Sequence, residues 1–384
     1  MKILDKIPEA EDFYANYWGK QPFVIKNAID KEYINNILDQ DELAGLSLEE
    51  DIRSRIVKSN KEEQNWTCQH GPFEEDIFQT LGEENWSLLV QNVDQYIPET
   101  ANLLQNFNFT PRWLLDDIMV SYSCKGGSVG PHLDSYHVFL VQGKGSRKWK
   151  LGNAPILDEN LIEGLDLKIL ENGFEGTEIE VSCGDVIYIP PNFGHEGITT
   201  EESLTFSLGF LGPSTSELLI QYGVYLGEQE KLNTRYSGKN INKSSSGFII
   251  DKSEITNIKD NVINSINSDN FNQWIVKYFS APTHLCEDEI SDLHDEVSNQ
   301  EEGEIQIPND AIIYKEENKK LTLTKIKENQ WSVGFLSKTR TINDETANII
   351  TRLNNGEEIA FSQIIKNDEA SDLITQLYNL DIIS

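Results

Sequence analysis

Gly130-Pro-His132-Leu-Asp134-Ser-Tyr-His137-Val-Phe139 decides the reading of this chain, together with a later stretch, Gly184-Asp-Val-Ile-Tyr-Ile-Pro190-Pro-Asn-Phe-Gly-His195-Glu196. In an extended strand, residues two apart point to one face, so His132 and Asp134 can grip the same ion. The second stretch reads as a buried apolar strand that ends in a rigid Pro-Pro turn and presents one imidazole, His195. Two histidines and one carboxylate on one face of an octahedral ion leave three positions open, the arrangement of non-haem Fe(II) oxygenases. Softer metals would want thiolate, and calcium would want more oxygens. A His-x-Asp pair alone occurs by chance on surface strands. The pair followed by Pro-Pro-x-x-x-His after an apolar strand is far more specific. His137 sits at an odd offset from His132, which turns it to the opposite strand face as a packing or substrate-side residue. Glu196 points away from its neighbour, and His70, His284 and His294 read as ordinary surface histidines.

Such an iron site needs an electron source. The usual co-substrate, 2-oxoglutarate, chelates the metal through its 2-oxo acid end, and its far carboxylate needs a fixed cation, ideally an arginine fork. Gly143-Lys-Gly-Ser-Arg147-Lys-Trp149-Lys follows the first metal segment. Arg147 and Trp149 share one strand face and Lys148 and Lys150 the other. Arg147 is the expected clamp, with Lys148 the alternative; a solvated basic edge is the bland reading. Hydroxyl donors could come from Ser121, Ser123 or Ser207.

Around these motifs, residues from about 92 to 212 carry short β-branched and aromatic runs punctuated by Gly and Pro, such as Ile118–Ser123, Val138–Val141 and Asp185–Ile189. That texture predicts a β-barrel or sandwich. Residues 1 to about 90 read as helices and short strands wrapped around it. After Gly212-Pro213 the period shifts to helical: Ser214 or Ser216 can cap a helix carrying Leu218, Leu219, Tyr222 and Leu226. Ile255, Ile258, Val262, Ile263 and Ile266 recur at helical spacing, as do Phe271, Trp274, Ile275 and Tyr278, so these faces should be buried against the barrel or a second subunit. Cys286 to Glu304 is acid-rich and reads as a linker. Beyond it, Leu321/Leu323 and Trp331/Val333/Phe335 alternate like a two-stranded ribbon flanked by helices, which suggests a winged-helix-like unit. The expected division is 1–213 catalytic, with the barrel core at about 92–212, then 214–300 helical region and acidic linker, then 301–384 winged-helix-like.

Bulk properties set the outer bounds. The chain has 384 residues, 38% hydrophobic and 9% aromatic, as expected for a folded protein of two or three domains. The N-terminus has no apolar h-region and no stretch is long enough to span a bilayer. Four cysteines without Cys-x-x-Cys spacing argue against a disulfide framework or zinc ribbon, and a cytoplasmic protein is the simple expectation. A formal charge of −32 makes direct nucleic-acid binding unlikely over most of the surface. The same charge suits either solubility alone or attraction to a basic partner.

Pro111-Arg-Trp-Leu-Leu-Asp-Asp-Ile-Met-Val-Ser-Tyr-Ser123 resembles the bacterial JmjC-type ribosomal oxygenases of the cupin superfamily. So do Gly126-Gly-Ser-Val-Gly-Pro-His132-Leu-Asp134-Ser-Tyr, Gly-x-Gly-x-Arg147-x-Trp149 and Ile189-Pro-Pro-x-x-x-His195-Glu-Gly; Tyr17-Trp-x-Lys-x-Pro22 and Phe271-x-x-Trp274 extend the likeness, which is weakest at the C-terminus. The resemblance implies an α+β protein: a double-stranded β-helix (JmjC/cupin barrel), a helical dimerisation region and a C-terminal winged-helix domain. It also implies Fe(II)- and 2-oxoglutarate-dependent hydroxylation of a side chain on a large-subunit ribosomal protein. In the bacterial branch that side chain is an arginine, oxidised at its β-carbon. The family's metal ligands fall on His132, Asp134 and His195, and its co-substrate clamp on Arg147. Relatives that hydroxylate histidine place lysine at the clamp position, so Arg147 favours the bacterial branch. Other readings are a histidine hydroxylase, an N-methyl demethylase, or a non-catalytic cupin that uses the barrel only for binding. A homodimer is implied as well.

Overall fold

The structure, a computed structural model, describes residues 1–60, 65–229, 231–238, 247–282 and 307–384. His284, His294, Cys286 and the acidic linker lie outside the described residues. The described chain divides into two compact units, Met1–Gly212 and Pro213–Ser384.

The first unit is built on one ten-stranded sheet. Its strands are β1 (Lys2–Leu4), β2 (Phe23–Ile25), β3 (Ser54–Asn60), β4 (Asn65–His70), β5 (Trp86–Val90), β6 (Leu115–Ser123), β7 (His137–Pro155), β8 (Gly176–Ser182), β9 (Val186–Ile189) and β10 (Phe193–Phe210). The order is β1-β2-β9-β7-β10-β6-β5-β3-β4, with β8 joined to β7. Only β1 and β2 run parallel, so the sheet is mixed. The sheet is therefore not confined to residues 92–212. Five earlier strands extend both of its ends, β1 and β2 beside β9 and β3 to β5 beside β6. β3 and β4 form a local hairpin, but the pairings that join these strands to the sheet, β2 with β9 and β5 with β6, link residues distant in sequence, which a local reading of periodicity could not place.

Two long strands give the sheet its shape. The first half of β7 pairs with β9 and the second half with β8, while β10 follows β7 along most of its length. The ladder shifts register between Thr199 and Thr205. Opposite that irregularity lies Gly145 at φ +63°, where a Cβ would come within 1.9 Å of the Glu202 carbonyl oxygen. A side chain there would clash with backbone, so glycine lets the strand turn from one layer into the other.

Strand alternation then separates core from site. Ile118 and Val120 of β6, Phe139 and Val141 of β7, and Phe206 and Leu208 of β10 point into the main core. Phe13, Tyr17 and Phe23 from the N-terminal segment and Phe107 from a 3-10 turn complete that core. Each such side chain contributes about 1.5–3 kcal/mol on burial. Their neighbours Met119, Ser121, Val138, Leu140, Thr205 and Ser207 point the other way and line a cavity. One face thus supplies stability and the other a binding site.

In the second unit, Ser214 caps the helix Thr215–Glu228, its hydroxyl accepting from the Glu217 N–H at 3.2 Å. Helices Lys252–Ile266 and Asp269–Phe279 follow. Tyr222 packs on Phe271 and Trp274 with ring centroids 4.9 and 5.0 Å apart. Ile255, Ile258, Val262 and Ile263 are exposed, so their own unit does not cover the 255–266 face. The C-terminal core gathers Val333, Phe335, Ile350, Leu353, Leu373 and Leu377. Its sheet has three strands rather than the expected ribbon of two: β12 (Thr322–Lys327), β13 (Gln330–Phe335) and β14 (Lys338–Ile342), preceded by a short β11 (Ile312–Ile313) that pairs with β15 (Ile359–Ala360). Lys338-Thr-Arg-Thr-Ile342 is largely exposed, and an edge strand of that composition lacks the apolar alternation that marks β12 and β13. No helix is long and apolar enough to cross a membrane among the described residues.

Candidate active site

His132 and Asp134 lie not in a strand but in the extended loop between Gly126 and β7. The loop is held to β10 by main-chain hydrogen bonds: the His132 N–H donates to the His195 carbonyl at 3.1 Å and the His195 N–H donates back at 3.0 Å, while Gly126 and Gly127 exchange bonds with Thr199. His195 itself sits in β10, two residues past Phe193, rather than in the Pro-Pro turn. That turn, with Asn192 at φ +64°, joins β9 to β10.

The three side chains converge. One ligand atom from each of His132, Asp134 and His195 lies within 4.8 Å of the others, and His195 Nε2 is 3.3 Å from Asp134 Oδ2. Both imidazoles are oriented by backbone carbonyls: His132 Nδ1 is 2.9 Å from the Gly130 oxygen, and His195 Nδ1 is 3.1 Å from the Phe193 oxygen. With Nδ1–H donating to a carbonyl, His132 Nε2 aims a lone pair at the common centre, and His195 Nε2 can do the same once the proton it shares with Asp134 leaves, the tautomer a metal requires. Burial holds His132 low, at about 4, with the neighbouring His195 adding to the effect, so it is neutral at pH 7. Burial would raise Asp134, yet the His195 hydrogen bond and nearby imidazoles hold it at about 2. A charged carboxylate between two imidazoles is a ready divalent-metal donor set, and its nitrogen and oxygen donors fit iron(II).

A cavity of 580 Å³ opens from this cluster, and Arg147 stands on its wall. Arg147 lies on β7 opposite Thr199 of β10 and Val181 of β8. Its Nε donates to Ser203 Oγ at 2.9 Å, and its Nη2 to Ser123 Oγ at 2.6 Å and Ser121 Oγ at 3.2 Å. It is buried, at 7% exposure, and no carboxylate pairs with it among the described residues. Burial alone pulls its guanidinium down to about 10. An uncompensated buried cation is costly unless an anion completes it. Trp149, two residues on, lines the same cavity with its buried Nε1 unpartnered. These two groups fit a carboxylate-bearing co-substrate.

The remaining expectations divide cleanly. Lys148 points outward and pairs with Glu178 at 2.6 Å. Ser121 and Ser123 line the cavity but spend hydrogen bonds on Arg147, whereas Ser207 lines it without such a bond. His137 stacks on Trp18 at 3.5 Å and bonds to the Tyr188 hydroxyl at 2.9 Å, a packing role away from the metal cluster. Ser203, Arg55 and Tyr136 were not anticipated. Ser203 becomes visible only through the pairing of β10 with β6, where it stands opposite Ser123. Arg55 and Tyr136 both line the cavity.

A His-Asp-His cluster beside a buried, unpaired arginine inside a β-sheet cavity is the signature of metal-dependent oxygenases that use a 2-oxo acid. A family model described as JmjC domain matches residues 102–218. The chain is 36% identical over 278 residues to ribosomal protein uL16 3-hydroxylase of Escherichia coli (strain K12), spanning 71% of this chain and 72% of that protein. The X-ray structure of E. coli YcfD superimposes with a TM-score of 0.78 at 28% identity, covering 98% of each chain. YcfD in complex with cobalt and 2-oxoglutarate, described as a ribosomal oxygenase, gives 0.76 at 27% identity over 99% of each. The chain belongs to the JmjC-domain ribosomal oxygenases of the cupin superfamily.

Proposed function

We propose that this protein is an Fe(II)- and 2-oxoglutarate-dependent oxygenase that hydroxylates the β-carbon of an arginine on a large-subunit ribosomal protein. The observation that carries the proposal is Arg147: a buried guanidinium with no carboxylate partner among the described residues, lining the cavity that holds His132, Asp134 and His195. Iron bound there, together with 2-oxoglutarate, supplies the oxidising chemistry that turns a substrate C–H bond into an alcohol, with succinate and carbon dioxide as co-products.

The chain's own residues do the positioning. His132, Asp134 and His195 present three donors from one side and leave the cavity side free. Arg147 binds the far carboxylate of the co-substrate, and Ser121, Ser123 and Ser203 hold its planar fork so that little side-chain freedom is lost on binding. Trp149 offers an indole N–H beside it, and Ser207 a hydroxyl. Leu89, Val138 and Leu140 exclude water from the same space. The name of the E. coli relative supports a ribosomal substrate, and the net charge of −32 suits a basic one through electrostatic steering. Arginine rather than lysine at position 147 supports the bacterial branch and hence an arginine target.

Within the same reading, the helices of residues 214–282 serve homodimerisation. The C-terminal unit acts as a winged-helix-like scaffold or docking element rather than a nucleic-acid binder, and the enzyme works in the cytoplasm beside its substrate. The test is anaerobic titration of Fe(II) and 2-oxoglutarate followed by oxygen, with a ribosomal-protein fragment present. Succinate formed with the wild type and lost with Arg147→Met is expected. No substrate-dependent succinate from protein that binds iron and 2-oxoglutarate would overturn the substrate assignment.

A further inference from the structure

A second side-chain cluster lies at the rim of the same unit. Cys68 and His70 are two apart on β4, an edge strand of the sheet, and so share a face. Asp166, in the segment between β7 and β8, meets them there: His70 Nε2 is 2.6 Å from Asp166 Oδ2 and 3.9 Å from Cys68 Sγ. The three candidate donor atoms lie within 4.8 Å of one another. Bonds of about 2.3 Å to sulfur and about 2.0 Å to nitrogen at a tetrahedral angle place S and N roughly 3.6 Å apart. The Cys68–His70 spacing already matches, and the His70–Asp166 contact needs to open by under about 1 Å.

We propose that Cys68, His70 and Asp166 form a binding site for a borderline divalent cation of the zinc(II) class, distinct from the iron cluster. Thiolate, imidazole and carboxylate together select zinc over iron(II), calcium or magnesium. On binding, the Cys68 thiol gives its proton to solvent and becomes the sulfur ligand. His70 and Asp166 are largely exposed, so the metal enters from solvent and the fourth position is water.

The position gives the site a consequence. Leu165, Asp166 and Leu167 line the oxygenase cavity, while Leu165, Leu167 and Cys68 all pack against the small core of Val57, Trp66, Leu89 and Ile169. A cation bridging β4 to Asp166 fixes that segment against the sheet and sets the width of the cavity wall. Bound zinc therefore changes substrate turnover without touching the iron ligands.

Cobalt(II) is the probe, because a thiolate ligand gives an intense near-ultraviolet charge-transfer band and the His-Asp-His cluster contains no sulfur. Full-length protein should bind two cobalt ions and show the band. Cys68→Ser should bind one ion and lose the band, and the exposed His70→Gln should weaken the second site at least tenfold while remaining folded. Absence of the band in the wild type, or its persistence in Cys68→Ser, overturns the site. For the coupling, low micromolar zinc is added to iron-loaded enzyme. A change in rate in the wild type that is absent in Cys68→Ser is expected; an equal change in both reflects iron displacement and overturns the coupling. The cobalt arm needs no oxygenase activity, so its outcome is independent of the function proposed above.

Discussion

His132 and His195 exchange backbone hydrogen bonds across an isolated bridge, at 3.1 and 3.0 Å, while their rings lie 4.1 Å apart. The loop that carries His132 and Asp134 is thus anchored through main chain, not through the metal-binding atoms. Substituting the rings or the carboxylate leaves this anchor in place. His132→Ala and Asp134→Ala should therefore remain folded, with unchanged far-ultraviolet circular dichroism. Iron stoichiometry, read by metal analysis, should fall from about one per chain to near zero, and turnover by at least about 100-fold.

Arg147 separates binding from stability. An apolar chain of similar length removes the desolvation cost of a buried charge that has no carboxylate partner among the described residues, which offsets the loss of its three serine hydrogen bonds. Arg147→Met should therefore unfold at the same or a higher temperature than wild type when 2-oxoglutarate is absent. Added 2-oxoglutarate at 100 times its Kd should stabilise the wild type by about 2.7 kcal/mol and leave the variant unmoved. Thermal melts with and without co-substrate check both. Arg147→Lys should bind weakly, since one ammonium cannot reproduce the fork that engages Ser203, Ser123 and Ser121.

Gly197 of β10 passes directly over Trp149. A Cβ at this position would lie 2.7 Å from the indole Cζ2, so the ring must shift. Gly197→Ala should cost about 1–3 kcal/mol by overpacking. It should also raise the KM for 2-oxoglutarate, because Trp149 lines the co-substrate cavity. Denaturant unfolding and steady-state kinetics on one preparation measure both effects.

Asp117 on β6 gives a pH signature. Burial, then the neighbouring Asp116 and later Asp94, push its carboxyl up to about 7, against the Asn92 N–H that stabilises its charged form. The folded state thus holds a proton that the unfolded chain releases near its ordinary value of 3.8. Folded protein binds more protons between those values, so stability falls as pH rises from about 4 to about 7 and then levels. The size is up to about 4 kcal/mol at about 1.4 kcal/mol per unit. Asp117→Asn should remove this slope and be the more stable protein at pH 8; urea midpoints at pH 5 and pH 8 measure the difference.

Much of the site was legible because its chemistry is carried by rare residue types in short motifs. Spacing and chemistry single out His132, Asp134, His195 and Arg147, and the structure brings the first three together and sets Arg147 on the wall of the same cavity. Local structure was less legible: His132 and Asp134 share a side through an extended loop, not a strand. Ser203 escaped because its place beside Arg147 depends on β10 pairing with β6, which local periodicity does not encode. Short strands are expected before residue 90, but not that β1 to β5 join the same sheet as β6 to β10, and β14 is missed because an exposed Lys-Thr-Arg-Thr edge resembles a loop. Apolar spacing in 255–266 correctly marked a helix but not its environment, since amphipathicity says that a face seeks cover without saying what covers it.

The most direct measurement of the oxygenase assignment is tandem mass spectrometry of large-subunit ribosomal proteins incubated with iron-loaded enzyme, 2-oxoglutarate and oxygen. The expected result is the mass of one added oxygen on a single arginine, placed at the β-carbon by fragmentation and absent with Asp134→Ala. Oxygen added to a histidine, loss of a methyl group, or no modification by enzyme that binds both iron and 2-oxoglutarate would contradict it.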